Sequence, residues 1–81
     1  MKLQIIKLDK VIFQGEVLKI KARSPGGQFE VLKGHGPMIA TLTAGEFFCE
    51  EGTENNVRPR TFSLAGGIMK VTPKEVVVLA E

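Results

Sequence analysis

The stretch that decides the fold class is Val17–Leu32, which reads VLKIKARSPGGQFEVL. From Leu18 to Ala22 the residues alternate between apolar and charged, the period of a β-strand, and predict an inner face made of Leu18, Ile20 and Ala22. Ser24–Gly27 follows as a turn, because proline presets its own φ and glycine tolerates a positive one. The remaining residues alternate again, so that Phe29 and Val31 share one face. The stretch therefore predicts a β-hairpin.

The same pattern of short strands and close turns continues along the whole chain. Short β-branched and aromatic runs recur, and Gly, Pro and Asn clusters separate them. Eight or more short strands with regular turns are typical of an all-β sandwich or barrel. At 81 residues, the sequence predicts a single domain over residues 1–81, with a core too thin to enclose a deep pocket.

Composition restricts the class of protein further. Eleven basic and nine acidic residues leave a net charge of +2, which is too small to indicate a nucleic-acid partner by itself. No apolar run approaches the ~18 residues of a membrane-spanning helix, and the N-terminal segment MKLQIIKLDK lacks a signal-peptide core. A single cysteine excludes a disulfide within the chain, so a cytosolic location is expected.

Few residues offer catalytic or ligand-binding chemistry. One histidine, His35, and one cysteine, Cys49, are too few for a zinc site. Neither glycine pair precedes a helix or a Gly-Lys-Ser/Thr motif, so no phosphate loop is predicted. Spacing alone leaves Cys49 or Ser63 open as a nucleophile beside His35, although neither lies in an activating environment. We therefore expect no catalytic residue, metal or cofactor, and no enzymatic activity from the chain alone.

Two further classes of protein remain open at this stage. The residues GGIMKV faintly resemble the Met-Lys of a biotinyl carrier domain, but Lys70 lies inside an alternating run rather than at the apex of a hairpin. A free-standing β-sandwich or OB-like module for nucleic acid or another ligand would need aromatic and basic residues interleaved on one face. The phenylalanines here are more typical of a core.

The order of the motifs carries a stronger signal than any one of them. The sequence contains, in this order, Phe13–Val17 (FQGEV), Gly27–Pro37 (GQFEVLKGHGP), Leu42–Gly45 (LTAG), Ser63–Val71 (SLAGGIMKV) and Val76–Ala80 (VVVLA). In order and spacing this series resembles the N-terminal β-sandwich domain of the ε subunit of F-type ATP synthase. The resemblance covers nearly the whole chain and implies about ten short strands in a two-sheet sandwich.

The resemblance also implies a function. Domains of this family bind the γ subunit with one flank and the membrane c-ring with one end, and they turn with both. The implied protein is a non-catalytic rotor subunit that couples proton or sodium translocation to ATP synthesis. It would lie peripherally on the cytoplasmic face of a bacterial inner (plasma) membrane, and no nucleic-acid or small-molecule substrate is expected.

The resemblance transfers roles to particular positions. It places His35 and the end of the first strand, at about Lys7, near γ. Alternation along the strands adds Leu32, Met38 and Ala40 as apolar residues that are expected to point outward in the γ-facing patch. The c-ring-facing residues are expected to be Gly26, Gly27, Gln28 and Glu30. Gln28 and Glu30 depart from the family pattern, so the ring contact is hydrogen-bonded or uses Glu30. For His35 a locally satisfied turn residue remains the alternative. Family members usually continue into a helical hairpin beyond Glu81. The sequence suggests a form without it, either naturally short or a shortened piece.

Overall fold

The computed structural model of the protein describes all residues 1–81 and contains eight β-strands and no helix. The strands are β1 Lys2–Lys7, β2 Lys10–Ser24, β3 Gly27–Leu32, β4 Met38–Leu42, β5 Gly45–Thr53, β6 Asn56–Leu64, β7 Gly67–Val71 and β8 Glu75–Ala80. The prediction of an all-β fold is confirmed, but the number of about ten strands is wrong. Part of the difference is β2, which continues for 15 residues without a break instead of forming two short strands.

Strand β2 joins the two layers of the sandwich. Its N-terminal half pairs with β1 in sheet 1, which has the order β4-β7-β8-β1-β2. Its C-terminal half lies between β3 and β5 in sheet 2, which has the order β3-β2-β5-β6. All neighbouring strands are antiparallel except β1 and β8, which run parallel in sheet 1. The chain therefore forms one continuous hydrogen-bonded ribbon folded at β2.

Fifteen buried apolar residues from both sheets form a single core. The largest fully buried side chains include Phe47, Leu3, Ile5, Ile20 and Met69. No charged or polar residue is buried, and every buried side-chain nitrogen or oxygen has a hydrogen-bond partner. Because removal of about 25 cal/mol per Å² of apolar surface from water drives burial, this core is the main source of stability.

The predicted hairpin at Val17–Leu32 is present as β2 and β3, with a two-residue turn at Pro25 and Gly26. Phe29 and Val31 share the inner face, as expected, with Val31 fully buried. The inner face of β2 differs in one place from the prediction. A register shift opposite β5 lies between Val17 and Lys19, so that Val17 is fully buried and Leu18 is not.

Both open sides of the sandwich are closed by specific contacts. On the β4 side, the Thr43 backbone N–H donates to the Arg23 carbonyl at 3.0 Å. On the β6 side, the Arg60 guanidinium lies 5.2 Å from the ring centre of Phe13 and donates to Glu51 Oε1 at 2.8 Å. Such cation–π and charge-assisted contacts hold a loose edge in place.

The turns cluster at two opposite ends of the sandwich. One end, called the Leu8 end, carries the turns Leu8–Asp9 and Pro25–Gly26. Lys7 lies there in one row with Ala80, Gly67 and Leu42 across sheet 1. The hydrogen bond from Thr43 to Arg23 brings the Pro25–Gly26 turn to the same end. The His35 end carries the loop 33–37, the turn Glu54–Asn55 and the turn 72–74. The polar segment Glu50–Arg60 is almost entirely strand, and only Glu54 and Asn55 at its tip are unpaired.

Candidate partner-binding surface

The candidate nucleophiles identified in the sequence lie in different environments. Cys49 is fully buried on β5, whereas Ser63 and His35 are exposed. Burial raises the pKa of the Cys49 thiol from its ordinary value of 9.0 to about 11, and Arg60 opposes this only in part. A buried thiol with a raised pKa is typical of a structural cysteine. No group of three or more His, Cys, Asp or Glu residues is placed to hold a metal ion.

The buried thiol predicts a loss of stability at alkaline pH. The folded-state pKa of Cys49 lies above the unfolded value, so the unfolded chain loses the thiol proton from about pH 9 and the folded chain only near 11. Stability is full below pH 9 and falls by roughly 2 kcal/mol as pH rises through this window. Thermal melts of wild type and Cys49→Ala from pH 8 to 11 would test this. If the melting temperatures of the two proteins fell equally with rising pH, that result would contradict the prediction.

The outer face of sheet 1 carries a row of mostly apolar residues, next to a second row that includes Lys70, Gln4 and Gln14. One row of paired residues crosses it, consisting of Thr41, Ile68, Leu79, Ile6 and Val11. Ile68 and Leu79 expose 51% and 54% of their surface, and Ile39 on edge strand β4 exposes 73%. We call this surface, made of Ile6, Val11, Ile39, Ile68 and Leu79, the apolar face.

A β-bulge enlarges the apolar face at its β2 side. Ile5 pairs with Phe13 and Ile6 pairs with Val11, so Ile12 is an extra residue in β2. Val11 and Ile12 are consequently both exposed, at 51% and 42%. Bulges often re-aim side chains at functional positions. Contiguous exposed apolar residues on a small soluble domain indicate a surface that binds a partner.

The outer face of sheet 2 has the opposite character. Lys21 on β2 stands opposite Glu30 on β3, and Lys19 stands opposite Glu50 on β5. Lys19 Nζ lies 3.9 Å from Glu30 Oε1, and Lys21 Nζ lies 5.8 Å from the ring centre of Phe48. Opposite charges paired across strands are typical of a solvated face. The lysines here form no unopposed basic strip of the kind that nucleic acid requires.

His35 lies exposed in the loop between sheet 2 and sheet 1. Its backbone N–H donates to the Leu32 carbonyl at 3.1 Å, and its ring Nδ1 donates to the Gly36 carbonyl at 2.8 Å. With Nδ1 used locally, Nε2 is the ring nitrogen available to a partner. The residue is thus a locally hydrogen-bonded turn residue whose outer edge is free.

The residues expected to face γ do not form one cluster. Lys7 lies at the Leu8 end and His35 at the opposite end, while Leu32 is 52% exposed at the edge of sheet 2. The expected outward orientation of Met38 and Ala40 is wrong. Both are only partly exposed, and Met38 packs against the core. Leu42 is buried, and residues two apart share a face, so Ile39 is the outward residue of β4.

The residues expected to face the c-ring lie closer together. Gly26 and Gly27 belong to the β2–β3 turn at the Leu8 end, and Gln28 is the next residue of β3. Glu30 lies two residues farther along on the outer face of sheet 2. All four are exposed. Glu30 has only the long contact to Lys19, so its carboxylate is available to another donor.

Sequence reasoning missed most of the apolar face. In β8 the residues Val76–Ala80 are all apolar, so both alternating sets were candidates for the core, whereas in β7 Lys70 marks the set that it shares with Ile68 as the outward one. The structure buries Met69, Val76 and Val78 and leaves Ile68 and Leu79 outside. A strand that is apolar on both faces was the available signal, because a two-layer sandwich buries only one of them.

The fold and its surface define a β-sandwich interaction domain with one apolar outer face and one charged outer face. No helix in it is long and apolar enough to cross a bilayer. The chain belongs to the family of ATP synthase delta/epsilon chains, whose β-sandwich domain model matches residues 1–81.

Individual relatives agree with this assignment. The chain is 35% identical over 82 residues to the ATP synthase epsilon chain of Clostridium novyi, covering 99% of itself and 59% of that protein. It is 33% identical over 79 residues to the ATP synthase epsilon chain of Chlorobaculum tepidum, covering 98% of itself and 86% of that protein. The chain therefore spans little more than half of one relative and most of the other.

Solved structures show the same fold. A chain in the cryo-EM structure of the Euglena gracilis mitochondrial ATP synthase superposes with a TM-score of 0.83 at 24% identity, over 96% of this chain and 48% of that one. A chain in the Tetrahymena thermophila mitochondrial ATP synthase superposes with a TM-score of 0.77 at 14% identity, over 98% of this chain and 61% of that one. Both comparisons support the sandwich architecture.

Proposed function

We propose that this chain is a non-catalytic subunit of the rotor of an F-type ATP synthase. It binds the γ subunit and the c-ring, and it couples ion translocation, of protons or sodium, to ATP synthesis. The observation that carries the proposal is the apolar face, a set of neighbouring exposed apolar residues on the outer side of one sheet of a small domain. Membership of the family, and similarity to chains of assemblies described as containing a central stalk and c-ring, supports these partners.

In this proposal γ covers the apolar face. Stable interfaces bury roughly 800 Å² on each partner, and the total accessible surface here is 5083 Å². Such an area spans sheet 1 from Lys7 at one end to the loop of His35 at the other. Leu32 lies on β3, at the edge of sheet 2. Met38 and Ala40 belong to the edge strand β4, and they contribute to the γ interface through that strand rather than through outward side chains.

The c-ring in this proposal meets the Leu8 end. The turn at Gly26 and Gly27 projects there, and Gln28 supplies an uncharged amide that both donates and accepts hydrogen bonds. Glu30 supplies a carboxylate for a basic residue of a ring loop. The subunit is held peripherally at the cytoplasmic face of a bacterial plasma membrane through these partners.

Co-purification tests the proposal. The tagged chain, expressed with the γ subunit of the same organism, is expected to elute with γ as a single stable complex. The same chain is expected to retain detergent-solubilised c-ring only when γ is present or when the ring is in excess. An unrelated β-sandwich domain of similar charge is the control. Failure to retain γ would contradict the proposed function.

A further inference from the structure

The hairpin turn between β1 and β2 combines two features that folding alone disfavours. Leu8 has φ 50° and Asp9 has φ 63°, and the six other residues with positive φ are all glycine. A two-residue turn with both central residues at positive φ prefers Asn-Gly, and asparagine and aspartate tolerate this conformation far better than leucine. Leu8 therefore holds a strained backbone conformation.

The side chain of Leu8 gains nothing from the fold in return. It is 82% exposed, the most exposed large apolar residue in the chain. A strained backbone that carries a solvent-exposed leucine is stable only because the Lys7–Lys10 pair and the strands behind it fix the turn. Strain of this kind is often found where a side chain is presented to a partner.

The position of the turn indicates which partner. The pair Ile6 and Val11, which immediately precedes Lys7 and Lys10 in the hairpin, belongs to the apolar face. Leu8 thus extends that face beyond the end of sheet 1, with a lysine on each side of the turn. Lys7, Asp9 and Lys10 surround this leucine with a net charge of +1, which is complementary to an apolar socket with carboxylates on its rim.

The geometry points to Leu8 as an anchor residue that inserts into such a socket on the γ subunit. This inference rests on the proposed function and deepens it, because it selects the residue that fixes γ at the Leu8 end of the apolar face. Continuity with the apolar face assigns Leu8 to γ rather than to the polar turn region around Gly26. The strain of the turn is retained because it holds the leucine side chain away from the sheet.

The inference predicts that stability and binding change in opposite directions. Leu8→Asn relieves the strain, so the melting temperature of the free chain is expected to rise by about 3 °C. The same change removes the anchor, and the affinity for γ is expected to fall at least 10-fold. Asp9→Gly is the matched control. It leaves Leu8 in place, is expected to change the melting temperature less than Leu8→Asn because aspartate already tolerates a positive φ, and leaves γ affinity within twofold.

Calorimetric titration of purified γ with each variant, beside thermal melts, separates the outcomes. An unchanged affinity for Leu8→Asn, a lower melting temperature for it, or an equal loss of affinity for Asp9→Gly would each overturn the assignment of Leu8. Loss of c-ring retention with γ binding intact would overturn it as well. Failure of the wild-type chain to bind γ would overturn the proposed function and this inference together, and so is distinguishable from the other results.

Discussion

Leu79→Glu is expected to weaken binding to γ by at least 100-fold while the free chain stays folded. Leu79 lies on β8 at the centre of sheet 1, 54% exposed, between Ile68 and Ile6 on the apolar face. In the free chain the carboxylate points into water, so the unfolding free energy changes by about 1 kcal/mol at most. In the complex it is buried without a partner, which typically costs several kcal/mol.

Val78→Glu is the matched comparison one residue away. Val78 is fully buried and faces the core, so a carboxylate there has neither water nor a cation. The expected result is loss of folding, since the total stability of a domain this size is about 5–10 kcal/mol. Leu79→Ala keeps the surface uncharged and is expected to weaken binding less than Leu79→Glu. Wild-type affinity for a folded Leu79→Glu variant would show that γ does not cover this face.

The elements that could be predicted from the sequence are those in which the pattern of apolar and polar residues allows only one arrangement of inward and outward side chains. Over Leu18–Leu32 the alternation of apolar and polar residues fixes the hairpin and the inward positions of Ile20, Ala22, Phe29 and Val31. The predicted turns fall where proline and glycine set φ. Local chemistry decides these features, and the rest of the chain has little effect on them.

The predictions failed where the local pattern allows two arrangements. Met38 and Ile39 are both apolar, and only the burial of Leu42 three residues later selects Ile39 as the outward one. In β2 a register shift buries Val17 instead of Leu18. A bulge changes which residues face inward without any change of composition, so its position depends on the partner strands and not on the strand itself.

The apolar face was missed for a related physical reason. The sequence of β8 is that of a strand apolar on both faces, which a free two-layer sandwich cannot satisfy. That conflict is itself the functional signal. A domain of this size retains exposed Ile68, Leu79 and Ile39 at a cost in solubility, and a partner that covers them removes the cost.

Gly67→Ala is expected to have the largest effect on folding of any change at a glycine in the motif Ser63–Val71. Gly67 is a buried residue of β7 at φ 151°, not a turn residue, and it pairs with Ala80 and Leu42 in the row that ends sheet 1. A Cβ at this position would overlap the Leu79 carbonyl oxygen and lie 3.0 Å from the Ala80 Cα. Both obstacles are backbone atoms of the central strand β8, which cannot move without breaking its ladder.

The expected loss is about 3–4 kcal/mol, because backbone strain at a positive φ adds to the steric overlap. For a domain of this length that corresponds to a fall in melting temperature of at least about 12 °C, measured by circular dichroism. Gly36→Ala is the matched control, since Gly36 has no positive φ and no atom within 4 Å of an added Cβ. It is expected to shift the melting temperature by less than about 3 °C. Equal melting temperatures for the two variants would mean that β7 and β8 approach each other less closely than the pairing of Gly67 with Ala80 requires.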